Sequence, residues 1–311
     1  MSRLDAFDAE LATSALAGRV LRDHPLGPLT TYRVGGAAAR FVIAESVDDL
    51  ASLARAIRVA ELPVLIVGRG SNLLVADEGF AGVAVQLGVS FADIAFDGTV
   101  VRAGGAASLP VVARRTASAG LVGFEWAVGV PGSIGGAVRM NAGGHGSDIA
   151  ASLVDATIFD LRGETGQRRV DVAALDLGYR RSAIAAADVV VGATLQLERG
   201  DAKEALSRID DIVRWRRENQ PGGQNAGSVF TNPPGDSAGR LIDRAGCKGL
   251  RVGSAEVSSK HANFFQADDG GSAADIWLLM VEVRRRVLTT QGVELVPETR
   301  LIGFGEMDAA T

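Results

Sequence analysis

The residues best placed by type and spacing to do chemistry are glycines. They make up 39 of 311 residues, against a usual share of about 7%, and they gather beside apolar runs. Val64-Leu65-Ile66-Val67 empties into Gly68-Arg69-Gly70-Ser71-Asn72-Leu73-Leu74. That run is either a nest of backbone amides for phosphate oxygens or a tight turn between strands. It is no dinucleotide fingerprint, because the third glycine and the following helix are missing, and no G-x-x-x-x-G-K-S/T loop occurs. A second string, Gly129-Val130-Pro131-Gly132-Ser133-Ile134-Gly135-Gly136-Ala137-Val138, leads on to Asn141-Ala142-Gly143-Gly144-His145-Gly146. It is too apolar for a plain surface turn. Two bare-backbone loops of this kind point to a bipartite anionic cofactor, a diphosphate with a ring system at one end.

Other chemistries are poorly provided for. One Cys and three scattered His (His24, His145, His261) argue against disulfides, thiolate clusters and any protein-held metal. A net charge of −5 argues against a nucleic-acid surface. No run of 18 apolar residues occurs and the first residues lack a secretory profile, so membrane insertion is not expected and the cytoplasm is.

The elements that must position these loops follow from periodicity. Helices are predicted over 4–17, Val47 to Leu62, Ser108 to Ala119, Asp201 to Glu218, Ser237 to Ala245 and Ala273 to Thr289, with Asp201 as a cap. Strands are predicted at 41–43, 64–67, 82–87, 94–103, 188–197, 263–266 and 295–302. A hairpin is expected from 153–161 and 168–173 around Gly163-Glu164-Thr165-Gly166. Arg284-Arg285-Arg286 reads as a solvated helix face and Cys247 as a small buried residue. A boundary is expected near residue 200.

Seven strings stand in an order that resembles the UDP-N-acetylenolpyruvoylglucosamine reductases, from about residue 28 to 305. They are Thr31-Tyr32-Arg33-Val34-Gly35-Gly36, the loop Gly68 to Val75, Gly129 to Gly136 with Asn141-Ala142-Gly143, Tyr179-Arg180-Arg181-Ser182, Ala226-Gly227-Ser228-Val229-Phe230-Thr231-Asn232-Pro233, Lys260-His261-Ala262-Asn263-Phe264 and Pro297-Glu298. The resemblance implies an α+β fold. A two-part FAD-binding domain of the vanillyl-alcohol-oxidase/PCMH type (1–95 and 96–200) would be joined by a C-terminal α+β substrate-binding domain (201–311) that closes over the substrate. It implies non-covalent FAD, NADPH as hydride donor, and reduction of UDP-N-acetylglucosamine enolpyruvate to UDP-N-acetylmuramate for peptidoglycan.

The same resemblance assigns residues. Arg180, Ser228 and Glu298 would be catalytic: a guanidinium for the substrate carboxylate, a proton donor, and a group that holds or polarises the intermediate. Tyr32, Gly68, Arg69, Gly70, Ser71, Asn72, Leu73, Gly129, Pro131, Gly132, Ser133, Gly135, Gly136, Asn141 and Gly143 would line the cofactor. Tyr179, Asn232, Lys260 and His261 would meet the substrate, although His261 reads equally as a strand-start residue. Pro221-Gly222-Gly223-Gln224-Asn225 is expected to be flexible. A related flavin oxidase, or a non-catalytic UDP-sugar or flavin-binding protein, is the competing reading. The lack of His in 68–75 speaks against the covalent flavin of many oxidases.

Overall fold

The computed structural model describes residues 2–163 and 166–305. They pack as two compact units that do not follow chain order. Residues 2–23, 39–69 and 81–215 form the first, and 24–38, 70–80 and 216–305 the second. The division therefore differs from three serial segments. Its last boundary lies at 215/216, and two short early stretches belong with the C-terminal third.

In the first unit one sheet runs in the order Leu21–Pro25, Ala37–Ala44, Phe80–Leu87, Val64–Ile66. The last two strands are parallel, with Val64 opposite Val83. The Val47–Ala60 helix starts where Ser46 Oγ accepts the Asp49 N–H at 3.1 Å. Its apolar stripe, Leu50, Leu53, Ala54, Ile57 and Ala60, is buried as its spacing predicts, in one core with Val42, Val83 and Val85. The N-terminal helix is shorter than expected, Arg3–Leu11, and buries Phe7 and Leu11 in the same core.

A second, wholly antiparallel sheet runs Gln167–Asp171, Leu153–Asp160, Asp188–Gln196, Val100–Gly104, Ile94–Asp97. The expected hairpin is its outer pair, with Thr157 opposite Arg169; Glu164 and Thr165 of the connector lie outside the described residues. The expected single strand over 94–103 is instead two. Asp97 pairs with Val100 across Gly98-Thr99, and Gly98 takes φ +62°, the signature of a tight hairpin turn. A helix that periodicity missed, Ile134–Met140, begins inside the second glycine string.

The second unit holds a three-stranded antiparallel sheet, Arg251–Val252, Ala255–Val257 and Phe265–Ala267. It also holds a parallel pair in which Leu73–Val75 lies along Arg300–Ile302. The Ala273–Gln291 helix buries Ile276, Leu279, Met280, Val283 and Val287, the predicted stripe, beside Tyr32, Val34 and Leu74. Its first turn is held by Asp77, which accepts from Ser272 Oγ (2.7 Å), Ala273 N (3.0 Å) and Ala274 N (3.0 Å). Arg284 corrects the expectation of a solvated basic face. It is buried, and its guanidinium donates to the Leu295 carbonyl (2.9 Å) and to Glu294 (2.8 Å). Arg285 and Arg286 do face outward, and their bonds to Glu282, Arg285 first, hold that carboxyl down to about 2. Cys247 is buried and its thiol is pushed up by desolvation, as suits a packing residue.

Candidate functional site

The first glycine loop leaves the Val64–Ile66 strand at the edge of a cavity of about 450 Å³ in the first unit. Gly68, Arg69, Gln86, Ser108, Ser133 and the Glu45 carboxylate supply its polar lining, and Ile43, Val67, Val89 and Val111 its apolar walls. At Gly68 a Cβ would come within 3.1 Å of Ser133 Oγ, so glycine keeps this wall open. A mostly apolar cavity of this size suits a ring, with Arg69 and two hydroxyls as polar anchors and the Glu45 carboxylate held by Ser90 N and Oγ.

The second glycine string is built for packing as much as for a ligand. Ser133 caps the Ile134–Met140 helix, its Oγ accepting from Gly136 N at 3.4 Å. The Gly135 N–H donates to Gly105 O (2.9 Å) and Ile134 N–H to Ala107 O (2.9 Å). A Cβ on Gly105 would lie 1.9 Å from Val190 O, and one on Gly135 would lie 3.0 Å from the same atom. Three backbones meet there at distances only glycine permits, so the Gly135 amide is not available to a phosphate. Gly132 accepts from Leu109 N at 3.0 Å, Gly129 is buried at the end of the short helix Glu125–Gly129, and Pro131 is exposed.

Several expected cofactor residues have other work. Tyr32 is fully buried in the core of the second unit, where desolvation pushes its phenol up and Thr299 and Ala226 face it. Its ring is enclosed by protein in this structure. Asn141 is 4% exposed with a left-handed backbone (φ +40°). Its Nδ2 donates to Asp148 (3.2 Å) and Gly178 O (3.0 Å), and its Oδ1 accepts from Ala150 N (3.1 Å). These bonds satisfy the side chain and tie the end of the Ile134–Met140 helix to Gly178 and Ala150. Asn72 donates to Glu298 O at 3.0 Å and so ties the first glycine loop to the Glu298 segment. Gly70 is glycine because a Cβ would lie 2.1 Å from Leu29 O, with φ at +61°. Ser71 is half-buried beside it, and Leu73 opens the buried strand Leu73–Val75.

Tyr179 and Arg180 occupy the tip of a four-residue turn. Gly178 N donates to Arg181 O (3.1 Å) and Arg181 N to Gly178 O (3.2 Å). Arg180 takes φ +57°, a conformation that costs a non-glycine residue about 1 kcal/mol. Its guanidinium donates to Gly143 O (3.0 Å) and Asn141 O (3.5 Å), and Cζ lies 5.3 Å from the exposed Tyr179 ring. The Asn141–Gly143 string thus serves Arg180, and the strained backbone marks a side chain whose direction is imposed.

Ser228 and Glu298 are brought together in the second unit. Val229 O accepts from Glu298 N at 2.8 Å, Phe230 bridges Pro297, and Ser228 bridges Phe264. Asn263, quoted in a motif but given no role by sequence, grips this ladder from within. The segment 221–225 is not loose. Gln266 donates to Gly222 O (2.9 Å), Ala267 N to Gln224 O (3.1 Å), and Asn225 Oδ1 accepts from Gly227 N (3.1 Å). His261 is half-buried, its ring edge-on to Phe264 at 4.7 Å, and burial lowers its pKa. Its Nδ1 accepts the Asn263 N–H at 3.3 Å. Lys260 is exposed and donates to Arg217 O in the last turn of the Ala202–Asn219 helix. Asn232, also exposed, accepts from Ala238 N (3.0 Å) at the start of the Ala238–Arg244 helix. Among the described residues no cluster of His, Cys, Asp and Glu could hold a metal ion, and no helix is long and apolar enough to cross a membrane.

Comparison with known proteins matches two successive regions of the chain. Residues 38–166 match the family profile described as FAD binding domain, and residues 219–302 match UDP-N-acetylenolpyruvoylglucosamine reductase, C-terminal domain. The chain is 43% identical over 295 residues to the UDP-N-acetylenolpyruvoylglucosamine reductase of Heliobacterium modesticaldum, covering 94% of this chain and 93% of that one. It is 42% identical over 296 residues to the Gluconobacter oxydans protein of the same name, covering 95% and 96%. The crystal structure of the Thermus caldophilus reductase superposes with a TM-score of 0.79 at 34% identity, covering 91% of this chain and 99% of that chain.

Proposed function

The chain belongs to the UDP-N-acetylenolpyruvoylglucosamine reductases, and from that premise we propose how its residues carry the reaction. It is an α+β oxidoreductase of peptidoglycan precursor synthesis, with an FAD-binding domain and a C-terminal reductase domain. It reduces the enolpyruvyl double bond of UDP-N-acetylglucosamine enolpyruvate to give UDP-N-acetylmuramate, with NADPH as electron source. FAD, once reduced by NADPH, supplies the hydride. Gly68, Arg69 and Ser133, which line the cavity, would hold part of that cofactor, Arg69 as a donor to phosphate oxygen and the apolar walls as packing for a ring. With both substrates charged nucleotides, the cytoplasm is the working compartment in this reading.

Hydride adds to the terminal carbon of the conjugated double bond, which moves an electron pair onto the carbon bearing the carboxylate and then into its oxygens. Arg180 faces that carboxylate with a planar two-pronged donor and stabilises the charge that develops. Its strained turn fixes the direction of the guanidinium before substrate arrives. Ser228 Oγ gives its proton to the carbon beside the carboxylate, completing the saturated lactyl ether, and regains one from solvent. Glu298 holds the charge distribution around that transfer. Tyr179, Asn232, Lys260 and His261 remain substrate contacts in this reading, with Lys260 and Asn232 released from their present partners.

The observation that best supports these assignments is the main-chain ladder that joins Ser228 and Glu298 through Val229. Anaerobic stopped-flow absorbance at the flavin maximum tests the reading. NADPH is expected to bleach the holoenzyme, and UDP-N-acetylglucosamine enolpyruvate to restore the colour. Bleaching without recovery would leave a flavin reductase of another acceptor, and flavin that stays with the denatured chain would favour a covalent oxidase.

A further inference from the structure

Asn263 is 2% exposed, and its polar atoms are engaged with the main chain that follows Ser228. It sits in a tight turn closed by Phe264 N donating to His261 O at 2.9 Å. Its side chain meets residue 230 twice: Oδ1 accepts the Phe230 N–H at 3.0 Å, and Nδ2 donates to Phe230 O at 2.8 Å. Its own carbonyl accepts the Val229 N–H at 2.9 Å. A carboxamide carries the same donor and acceptor as a peptide group, so here it replaces a strand where the main chain has turned away. One residue thus grips the two that follow Ser228.

The grip extends to the other side of the ladder. Val229 O, whose own N–H is fixed by Asn263, accepts from Glu298 N at 2.8 Å and from Thr299 N at 3.3 Å. Phe230, fixed twice, bridges Pro297. The backbones that present Ser228 and Glu298 therefore share one buried tie. We infer that Asn263 is a positioning residue for the proton-transfer half of the reaction, acting through residues 229–230 on Ser228 and Glu298. This rests on the reading of Ser228 as proton donor. The geometry also specifies the amide: an aspartate here would set a carboxylate against Phe230 O, whereas its protonated form would donate as the amide does.

The test uses flavin-loaded enzyme and follows each half-reaction in single turnover. Asn263→Ala and the nearly isosteric Asn263→Asp are expected to slow flavin reoxidation by the enolpyruvyl sugar about 100-fold, the scale of a small misplacement of reacting groups. Bleaching by NADPH should stay within about twofold of the unsubstituted enzyme. The Asn263→Asp rate, taken relative to that enzyme at each pH, should recover as pH falls and the acid protonates. In a Ser228→Ala background Asn263→Ala should add less than about twofold, because its effect already runs through Ser228. Equal loss in both half-reactions, a full additional loss on Ser228→Ala, or undiminished reoxidation in Asn263→Ala, or in Asn263→Asp at a pH where its acid is ionised, would each overturn the inference. Should Asn263→Ala fail to bind flavin, Asn263→Asp carries the comparison. Failure of the unsubstituted enzyme to be reoxidised by the enolpyruvyl sugar would overturn the functional reading, and this inference with it.

Discussion

A serine hydroxyl is a weak acid, so Ser228 is useful only where its place is imposed. Its neighbours impose it: Phe264 across the bridge, and Val229 and Phe230 clamped on Asn263. Ser228→Ala should therefore keep bound flavin and NADPH-driven bleaching while losing most recolouring by the enolpyruvyl sugar, about a hundredfold or more in a single-turnover trace. Equal loss in both phases would assign Ser228 a structural role. At this scale sequence and structure part company in an orderly way. Arg180, Ser228 and Glu298 stand out in sequence because their strings are distinctive, whereas the hydrogen-bond partners of Asn141 and Asn72 could not be read there, because an amide in a glycine-rich string looks free until its partners are seen. Those partners, Gly178, Ala150 and Glu298, are far along the chain or reached only through a turn.

Helices with a continuous apolar stripe were legible in the sequence to within a few residues. Val47–Ala60 and Ala273–Gln291 declare themselves by spacing, and the structure adds Ser46 and Ser272 as their caps. Ile134–Met140 did not, because Gly135 and Gly136 lower its propensity and its place depends on Gly105 and Val190 coming close. Asp77 is the tertiary counterpart of a cap, reaching the Ala273–Gln291 helix from nearly two hundred residues away. Burial raises its carboxyl pKa, but bonds from Ala274, Ala273 and Ser272 outweigh this and leave it below its ordinary value near 3.8. Asp77→Ala should cost about 1–2 kcal/mol, read as a fall in the urea midpoint. Because the folded pKa is depressed, the contribution is present above the unfolded value and lost as pH falls through the folded one. The gap between the two proteins should then narrow below about pH 4. A gap that is constant down to pH 2 would assign the effect to packing.

For the whole molecule the order of the chain is a poor guide to its units. The second unit draws Tyr32, Val34 and Leu74 into its core and needs Leu73–Val75 as the parallel partner of Arg300–Ile302. A fragment of residues 216–305 therefore lacks a strand and three core side chains. We expect it to give a collapsed amide NMR spectrum, and dispersion to return when segments 24–38 and 70–80 are supplied in the same chain. A well-dispersed spectrum from the fragment alone would mean that the early segments only decorate the unit.

The sequence by itself determined the family, the chemistry and most element types. These depend on local strings and on periodicity, which a chain carries along its length. Only the tertiary structure decided which glycines face a side chain across a cavity and which face another backbone, since Gly68 and Gly105 differ solely in what stands opposite them. It also decided that Arg284 is buried, that Tyr32 belongs to a core, and that the Asn263 amide holds Phe230, next to the Val229 carbonyl that accepts from Glu298 N. A side chain's partners are fixed by long-range packing, and residue type alone does not encode them.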